Sequence, residues 1–341
     1  MRVITFGEIL LRLAPMGHKK LFQSEIIESS FCGSEANVAV SLSNYGLETS
    51  FVSKVPDSEI GQAAVNALRY FGVDTSLIMR GGHRLGLYYL EKGVSQRPSK
   101  VIYDRAYSAF SCSNSEDYDW DSIFEGVDWF HFSGINPALS ESLSDISLKA
   151  CEKAKSKGIV VSCDINYRSK LWDRSKANQV MSELMRFVDI YIGNEEDAES
   201  VFNISARNSN VQEGEVSYHD YESIARTLAS EYGFKYVAMS LRTSISASLN
   251  KWAGLIYSKA KDSTFTSKEY SIDIVDRVGS GDSFAAGIIY SLLMNNSEQD
   301  TVDFAVAAGC LKHTLEGDFN RVSLDEVKAL CKGDSSGRIK R

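Results

Sequence analysis

Residues 276–284 read Asp-Arg-Val-Gly-Ser-Gly-Asp-Ser-Phe, a pattern suited to holding an anion beside a base. A glycine-rich turn that opens a helix leaves the backbone N–H groups of Gly279, Ser280 and Gly281 at the positive end of the helix dipole, a ready cradle for phosphate. Asp282 falls in the first helical turn. A carboxylate there is either an ordinary helix cap or the base that takes a proton from a hydroxyl attacking a phosphoryl group. Two better-known phosphate motifs are missing. No G-x-x-x-x-G-K-[ST] occurs, and Phe284 stands where a dinucleotide fingerprint built on Gly279 and Gly281 would require glycine. P-loop and nicotinamide chemistry are therefore disfavoured.

The elements that must position these residues follow from periodicity. Residues 270–275 alternate, with Ile272 and Ile274 on one face, which predicts a strand. Phe284, Ile288 and Leu292 recur every four residues beside Ala285, Ile289 and Leu293, which predicts a buried helix. Further apolar strands are expected at 3–8, 49–55, 127–133, 159–164, 190–193 and 236–241. Helices fall between them: Ile60, Ala64, Ala67, Leu68 and Phe71 line one face before Gly72, and Ile224, Leu228 and Tyr232 do the same before Gly233. Such alternation implies an α/β chain whose mainly parallel central sheet is covered on both faces.

Residues 11–31 and 85–110 break this rhythm with extended, aromatic-rich stretches. They predict a small β-sheet lid over the carboxyl edge of the main sheet, where open α/β folds bind ligands. An exposed lid face is also a natural contact for a second subunit. The main domain then comprises 1–10, 32–84 and 111–332, with a polar loop at 205–218 and a frayed tail at 333–341.

With 341 residues, 43% hydrophobic and 24% charged, the chain suits one large domain with a small appendage. A net charge of −8 without any basic stretch disfavours nucleic acid as a partner, so an anionic substrate must be met by local arginines. No run is long enough to cross a membrane, and no signal peptide opens the chain. Six cysteines without C-x-x-C spacing read as free thiols in a reducing cytoplasm.

Residues 276–284 resemble the second signature of the ribokinase (PfkB-type) family of carbohydrate kinases. The stretch Phe31-Cys32-Gly33-Ser34-Glu35-Ala36-Asn37-Val38-Ala39 resembles the first. Asp164-Ile165-Asn166-Tyr167-Arg168 and Gly193-Asn194-Glu195-Glu196-Asp197 fall where that family has intervening motifs. The resemblance covers nearly the whole chain in order. Through Gly33–Asn37, Tyr103-x-Arg105, the 164–168 motif, and Lys312-His313-Thr314 leading to Gly317-Asp318-Phe319-Asn320, it is strongest to 2-dehydro-3-deoxygluconate (KDG) kinases. It implies a three-layer αβα ribokinase-like fold with a β-sheet lid, and ATP-dependent phosphorylation of the terminal hydroxyl of a sugar acid, KDG to its 6-phosphate. It further implies Asp282 as base, the 279–282 turn as anion hole, Mg²⁺ on the nucleotide with a monovalent cation as a further option, and a homo-oligomer formed through the lid.

The residues themselves support this to different degrees. Glycine at 33 lets a sugar approach the backbone, and Ser34 and Asn37 offer hydroxyl and amide partners, though the same residues also make a plain capped helix. Tyr88, Tyr103 and Arg105 lie on the lid, where the tyrosines serve as packing or as substrate contacts. Arg105 is either a planar cation facing the substrate or a solvent-facing side chain. Arg168 follows a buried strand and suits a carboxylate or a phosphate; the resemblance sets Asn166 and Arg168 toward substrate and nucleotide and adds Asp318 on the substrate side, while Asp164 is read as shaping the turn and Asn166 either contacts the ligands or does the same. Asn194 precedes three acids. The family pattern is Asn-x-x-Glu acting on magnesium through water, and here the fourth position holds Asp197, leaving Glu195 and Asp197 as metal-side candidates or a solvated helix start. Ser240 and Arg242 end the strand placed beside the nucleotide. Arg12 stands where ribokinases have an aspartate for neutral hydroxyls, and points either inward to an acidic substrate or out to solvent. A fructokinase or sugar-phosphate kinase of the same family is the alternative activity. A catalytically silent sugar-acid binding protein is a more distant one, disfavoured because Asp282 and the Gly-Ser-Gly turn are both intact.

Overall fold

The computed structural model describes residues 1–205 and 218–333; the loop expected around 205–218 and the tail expected after 333 lie outside the described residues. Strands in chain order are β1 (Arg2–Phe6), β2 (Leu10–Pro15), β3 (Ile27–Cys32), β4 (Glu48–Val55), β5 (Ile78–Arg80), β6 (Gly86–Glu91), β7 (Lys100–Asp104), β8 (Trp129–Ser133), β9 (Val160–Asp164), β10 (Ile190–Gly193), β11 (Tyr236–Ser244), β12 (Leu249–Ser258), β13 (Ser263–Thr266) and β14 (Tyr270–Asp273). Helices are α1 (Ser34–Asn44), α2 (Glu59–Tyr70), α3 (Trp120–Ile123), α4 (Ile135–Leu139), α5 (Glu141–Ser156), α6 (Arg174–Leu184), α7 (Glu195–Phe202), α8 (Tyr218–Tyr232), α9 (Ser280–Leu293), α10 (Glu298–Lys312) and α11 (Leu324–Cys331).

The main sheet runs β13-β12-β11-β10-β9-β8-β1-β4-β5, with β14 also paired to β12. From β11 to β5 every neighbour is parallel, whereas β12 pairs antiparallel with β11, β13 and β14. Parallel strands covered on both faces must be apolar throughout, and β8 and β10 are buried at every position. Alternate residues serve alternate layers. Val3, Ile190, Ile192 and Ala238 pack under α1, α9 and α10, while Ile4, Phe130, Val161, Tyr191 and Val237 pack against α5 to α8 on the other face. The three-layer arrangement expected from the sequence is present. The hairpin β12–β13 was not anticipated: residues 249–258 form a nearly unbroken buried run without the alternation that marks a half-exposed strand.

The second sheet has the order β3-β2-β6-β7, parallel between β2 and β6 and antiparallel elsewhere. Tyr88 and Leu90 pack on Leu10, Ala14 and Cys32 along its inner face. The turn between β6 and β7 reaches the main domain: Ala247 N donates to Ser95 O (2.8 Å), Ser95 N to Ser248 Oγ (2.9 Å), and Lys92 pairs with Glu316 (2.6 Å). Among the described residues no helix is long and apolar enough to cross a membrane, and all six cysteines are free.

Candidate active site

The turn before α9 can be made only with glycine at 279. Its φ is +83°, and a Cβ there would lie 2.2 Å from the carbonyl oxygen of Asp318. No side chain caps the start of α9; Ser280 N donates to Arg277 O (3.5 Å), and the N–H groups of Gly281 and Asp282 are left for a ligand. The start of α1 likewise lacks a side-chain cap, and a Cβ on Gly33 would meet Glu8 O at 2.1 Å. Both helix starts open into one cleft of about 530 Å³, walled by the lid and by the carboxyl ends of the parallel strands.

Asp282 is not a cap. Its carboxylate turns away to α1, accepting from Ser34 Oγ (2.7 Å) and Asn37 Nδ2 (2.6 Å). Burial pushes its pKa up to about 6, against the opposing pull of those two hydrogen bonds. Asn166 holds a left-handed φ of +45°, which asparagine tolerates, and this aims its Nδ2 at Ser34 Oγ (3.2 Å) and Asp164 Oδ2 (3.4 Å). One chain of hydrogen bonds thus links the loop after β9, the start of α1 and the start of α9. Burial, then the charges of Asp197 and Asp282, hold the Asp164 pKa well above the carboxylate range. Arg168 is exposed at the mouth of the cleft.

The acids of α7 divide differently from expectation. Asn194 and Asp197 form a capping box: Asn194 Oδ1 accepts from Asp197 N (2.9 Å) and Asp197 Oδ2 from Asn194 N (3.2 Å). The second oxygen of Asp197 accepts from Tyr167 N (2.9 Å), so both oxygens are held by backbone. Glu195, expected on the metal side, does not line the cleft; it hydrogen-bonds Tyr221. The exposed acid on the cleft wall is Glu196. Among the described residues no group of three acids, histidines or cysteines is placed to hold a metal.

Arg242 and Arg277 flank the turn, with neither in a salt bridge among the described residues. Arg242 lies 5.2 Å over the Trp252 ring and 3.5 Å from Ser280 Oγ; Ser240 and Arg277 line the same wall. Arg277 was given no role from sequence, although its place inside the 276–284 motif was a usable signal.

On the lid side, Arg12 does point inward, but not to a substrate. It donates to Asp318 Oδ1 (2.5 Å) and Asp276 Oδ2 (2.6 Å). Asp318 lines the cleft, yet its other oxygen accepts from Tyr88 Oη (2.6 Å), so its carboxylate is fully engaged. Arg105 is buried, not solvent-facing. Its Nε donates to Glu8 Oε2 (2.8 Å), as does Nη2, while Nη1 makes no hydrogen bond among the described residues. Tyr103 lies beside it, 5.6 Å from guanidinium to ring. Glu8, unassigned from sequence, therefore sets the orientation of Arg105.

Known proteins place this geometry. The model of the pfkB family of carbohydrate kinases matches residues 2–241 and 250–322. A 2-dehydro-3-deoxygalactonokinase of Haloferax volcanii is 30% identical over 98% of this chain and 98% of its own length. A 2-dehydro-3-deoxygluconokinase of Bacillus subtilis is 26% identical over 96% of this chain and 94% of its own. The crystal structure of a 2-dehydro-3-deoxygluconokinase from Thermotoga maritima superposes with a TM-score of 0.94 at 47% identity, covering 98% of this chain and 100% of that one. A helix start without a cap, a carboxylate beside it and a second, small sheet over the cleft are thus found in a chain that belongs to the pfkB family of carbohydrate kinases.

Proposed function

We propose that this carbohydrate kinase uses ATP to phosphorylate the terminal hydroxyl of a 2-dehydro-3-deoxy sugar acid, KDG to its 6-phosphate. The observation that carries the reading is Asp282: a carboxylate raised to about 6, held by Ser34 and Asn37, at a helix start that no side chain caps. Gly33, Ser34 and Asn37 place the hydroxyl. Asp282 takes its proton as the oxygen attacks the γ-phosphorus, and the N–H groups of Gly279, Ser280, Gly281 and Asp282 hold the charge spreading over the transferred group. Asn166, Arg168, Asn194, Ser240, Arg242 and Arg277 form the nucleotide side. Mg²⁺ bound to the nucleotide supplies charge neutralisation, and Glu196 is the acid placed to hold it through water. Arg105, with Tyr103 beside it and Tyr88 and Asp318 on the same cleft wall, presents Nη1 to the carboxylate of the sugar. Two relatives named for sugar-acid kinases support that assignment.

A coupled ADP assay with KDG, its galactonate epimer, fructose, tagatose 6-phosphate and ribose tests it. The two acids are expected to give the highest kcat/KM, and Arg105→Ala is expected to lower kcat/KM for them by about 10- to 150-fold, the loss of one charged hydrogen bond, with little change for fructose. A neutral sugar or sugar phosphate as the preferred substrate would overturn the reading.

A further inference from the structure

Lys312, the last residue of α10, has no solvent exposure. Its ammonium makes one hydrogen bond, to Leu315 O at 3.3 Å. An ammonium is costly to bury unless nearby charge favours it, so its surroundings must explain it. Its Cε lies 3.3 Å from where a Cβ on Gly279 would stand, directly behind the turn that opens α9. Burial pulls its pKa below the usual lysine range and Arg12 adds to that pull, while the charges of Asp276, Asp318 and Asp282 work against it. It does not line the cleft.

Asp276 and Asp318 are buried and are built into the back of the turn. Asp276 accepts from Val278 N (3.2 Å) and Gly317 N (3.3 Å), and the Asp318 carbonyl packs on Gly279. Arg12 pairs with both carboxylates but offsets only one of their two charges. Without another cation, a net negative charge would stand directly behind the cradle and oppose the phosphoryl arriving in front of it.

We propose that Lys312 is a positioning residue for phosphoryl transfer, a resident cation behind the 279–282 turn that cancels the remaining charge of Asp276 and Asp318 and so lets the turn's N–H groups attract the transferring group. This rests on the reading of the turn as the anion hole. The influence is greatest where charge spreads in the transition state, so it falls on kcat more than on either KM.

The test is Lys312→Met, which keeps the length of the side chain and removes the charge. It is expected to lower kcat roughly 100-fold, the scale of one lost anion-hole donor, with KM for sugar acid and ATP within about threefold. Adding Asp276→Asn restores charge balance and is expected to recover at least about tenfold of that loss. A lysine that only fills space would not respond, since methionine fills it too. Lys312→Met with kcat within about threefold of wild type overturns the inference, as does a loss that Asp276→Asn does not relieve. If Lys312→Met fails to fold, the charge-balanced double variant is the test: turnover within about tenfold of Asp276→Asn alone supports the role, and a folded but inactive double variant overturns it. Gly279→Ala, which must displace the turn itself, measured alongside separates the two readings. If Gly279→Ala is inactive while Lys312→Met is active, only the role of Lys312 fails; if a folded Gly279→Ala keeps full activity, the anion-hole reading itself fails.

Discussion

A base works only while ionised, and Asp282 in the sugar-free enzyme has a pKa pushed up to about 6. The pH profile of kcat/KM reports groups of the free enzyme, so it is expected to fall with unit slope below about pH 6. Ser34 provides a way to move that limb. Its hydroxyl donates to Asp282 Oδ1 at 2.7 Å, which favours the charged form. A hydrogen bond to a charged group contributes about 1.5–3 kcal/mol, and about 1.4 kcal/mol is one pKa unit. Ser34→Ala is therefore expected to raise the pKa by about one unit, moving the limb upward to near pH 7. Relative to its own plateau, activity at pH 6 then drops about fivefold further than in the wild type.

Ser34→Ala also weakens sugar binding, but that loss is the same at every pH, and only the position of the limb reports the base. Glu35 titrates close by, with burial pushing it up to about 7, so Glu35→Gln is the control and is expected to leave the limb near 6. The assay is ADP release at low sugar concentration across pH 5–9. A limb that ignores Ser34→Ala, or that disappears with Glu35→Gln, would refute the assignment of Asp282 as base.

Asp282→Asn is expected to lower turnover by about 10²- to 10⁴-fold. Because the folded-state pKa is raised from 3.8 to about 6, stability is lost as pH rises from about 4 to about 6 and that loss is complete above it; the asparagine variant is accordingly expected to be more stable at pH 8, on the order of 3 kcal/mol, read as a Tm higher by a few degrees. Gly279→Ala places a Cβ 2.2 Å from Asp318 O at a left-handed φ; beyond about 1–2 kcal/mol for that backbone state, it must displace the turn, so kcat is expected to fall more than tenfold together with Tm. Arg12→Met leaves the buried Asp276 and Asp318 without their ion pairs and is expected to destabilise by about 3–5 kcal/mol in denaturant unfolding; a loss below about 1 kcal/mol would contradict the cluster described here.

The fold was legible where its determinants are local. Buried parallel strands announce themselves as short apolar runs, and the 270–293 strand–turn–helix unit appears as β14 and α9 with the turn between them. The second, small sheet was legible for the opposite reason, as segments that fit neither period. The start of α7 was less legible. Asn194-Glu195-Glu196-Asp197 carries the local signature of a capping box, and that pattern already commits the side chain at the fourth position to the backbone N–H of the first. A carboxylate so held is poorly free to serve a metal, and helical geometry turns Glu195 and Glu196 in different directions, which residue type alone does not report.

The ion pairs behind the turn were not legible, because nothing local encodes them. Arg12 and Asp318 stand 306 positions apart, and Arg105 and Glu8 stand 97 apart; an inward arginine on the lid reads the same whether it meets a substrate carboxylate or one from its own chain. The physics nevertheless constrains the answer. An arginine buried to the depth of Arg12 needs its counter-charges permanently, since the free enzyme has no substrate to supply them. Two aspartates within 2.6 Å meet that need. Arg105 has one carboxylate, Glu8, on one side of its fork and an Nη1 facing no acceptor among the described residues. Of the two buried lid arginines, it is therefore Arg105 that has hydrogen-bonding capacity left for a sugar acid, and Arg12 that belongs to the architecture holding the anion turn in place.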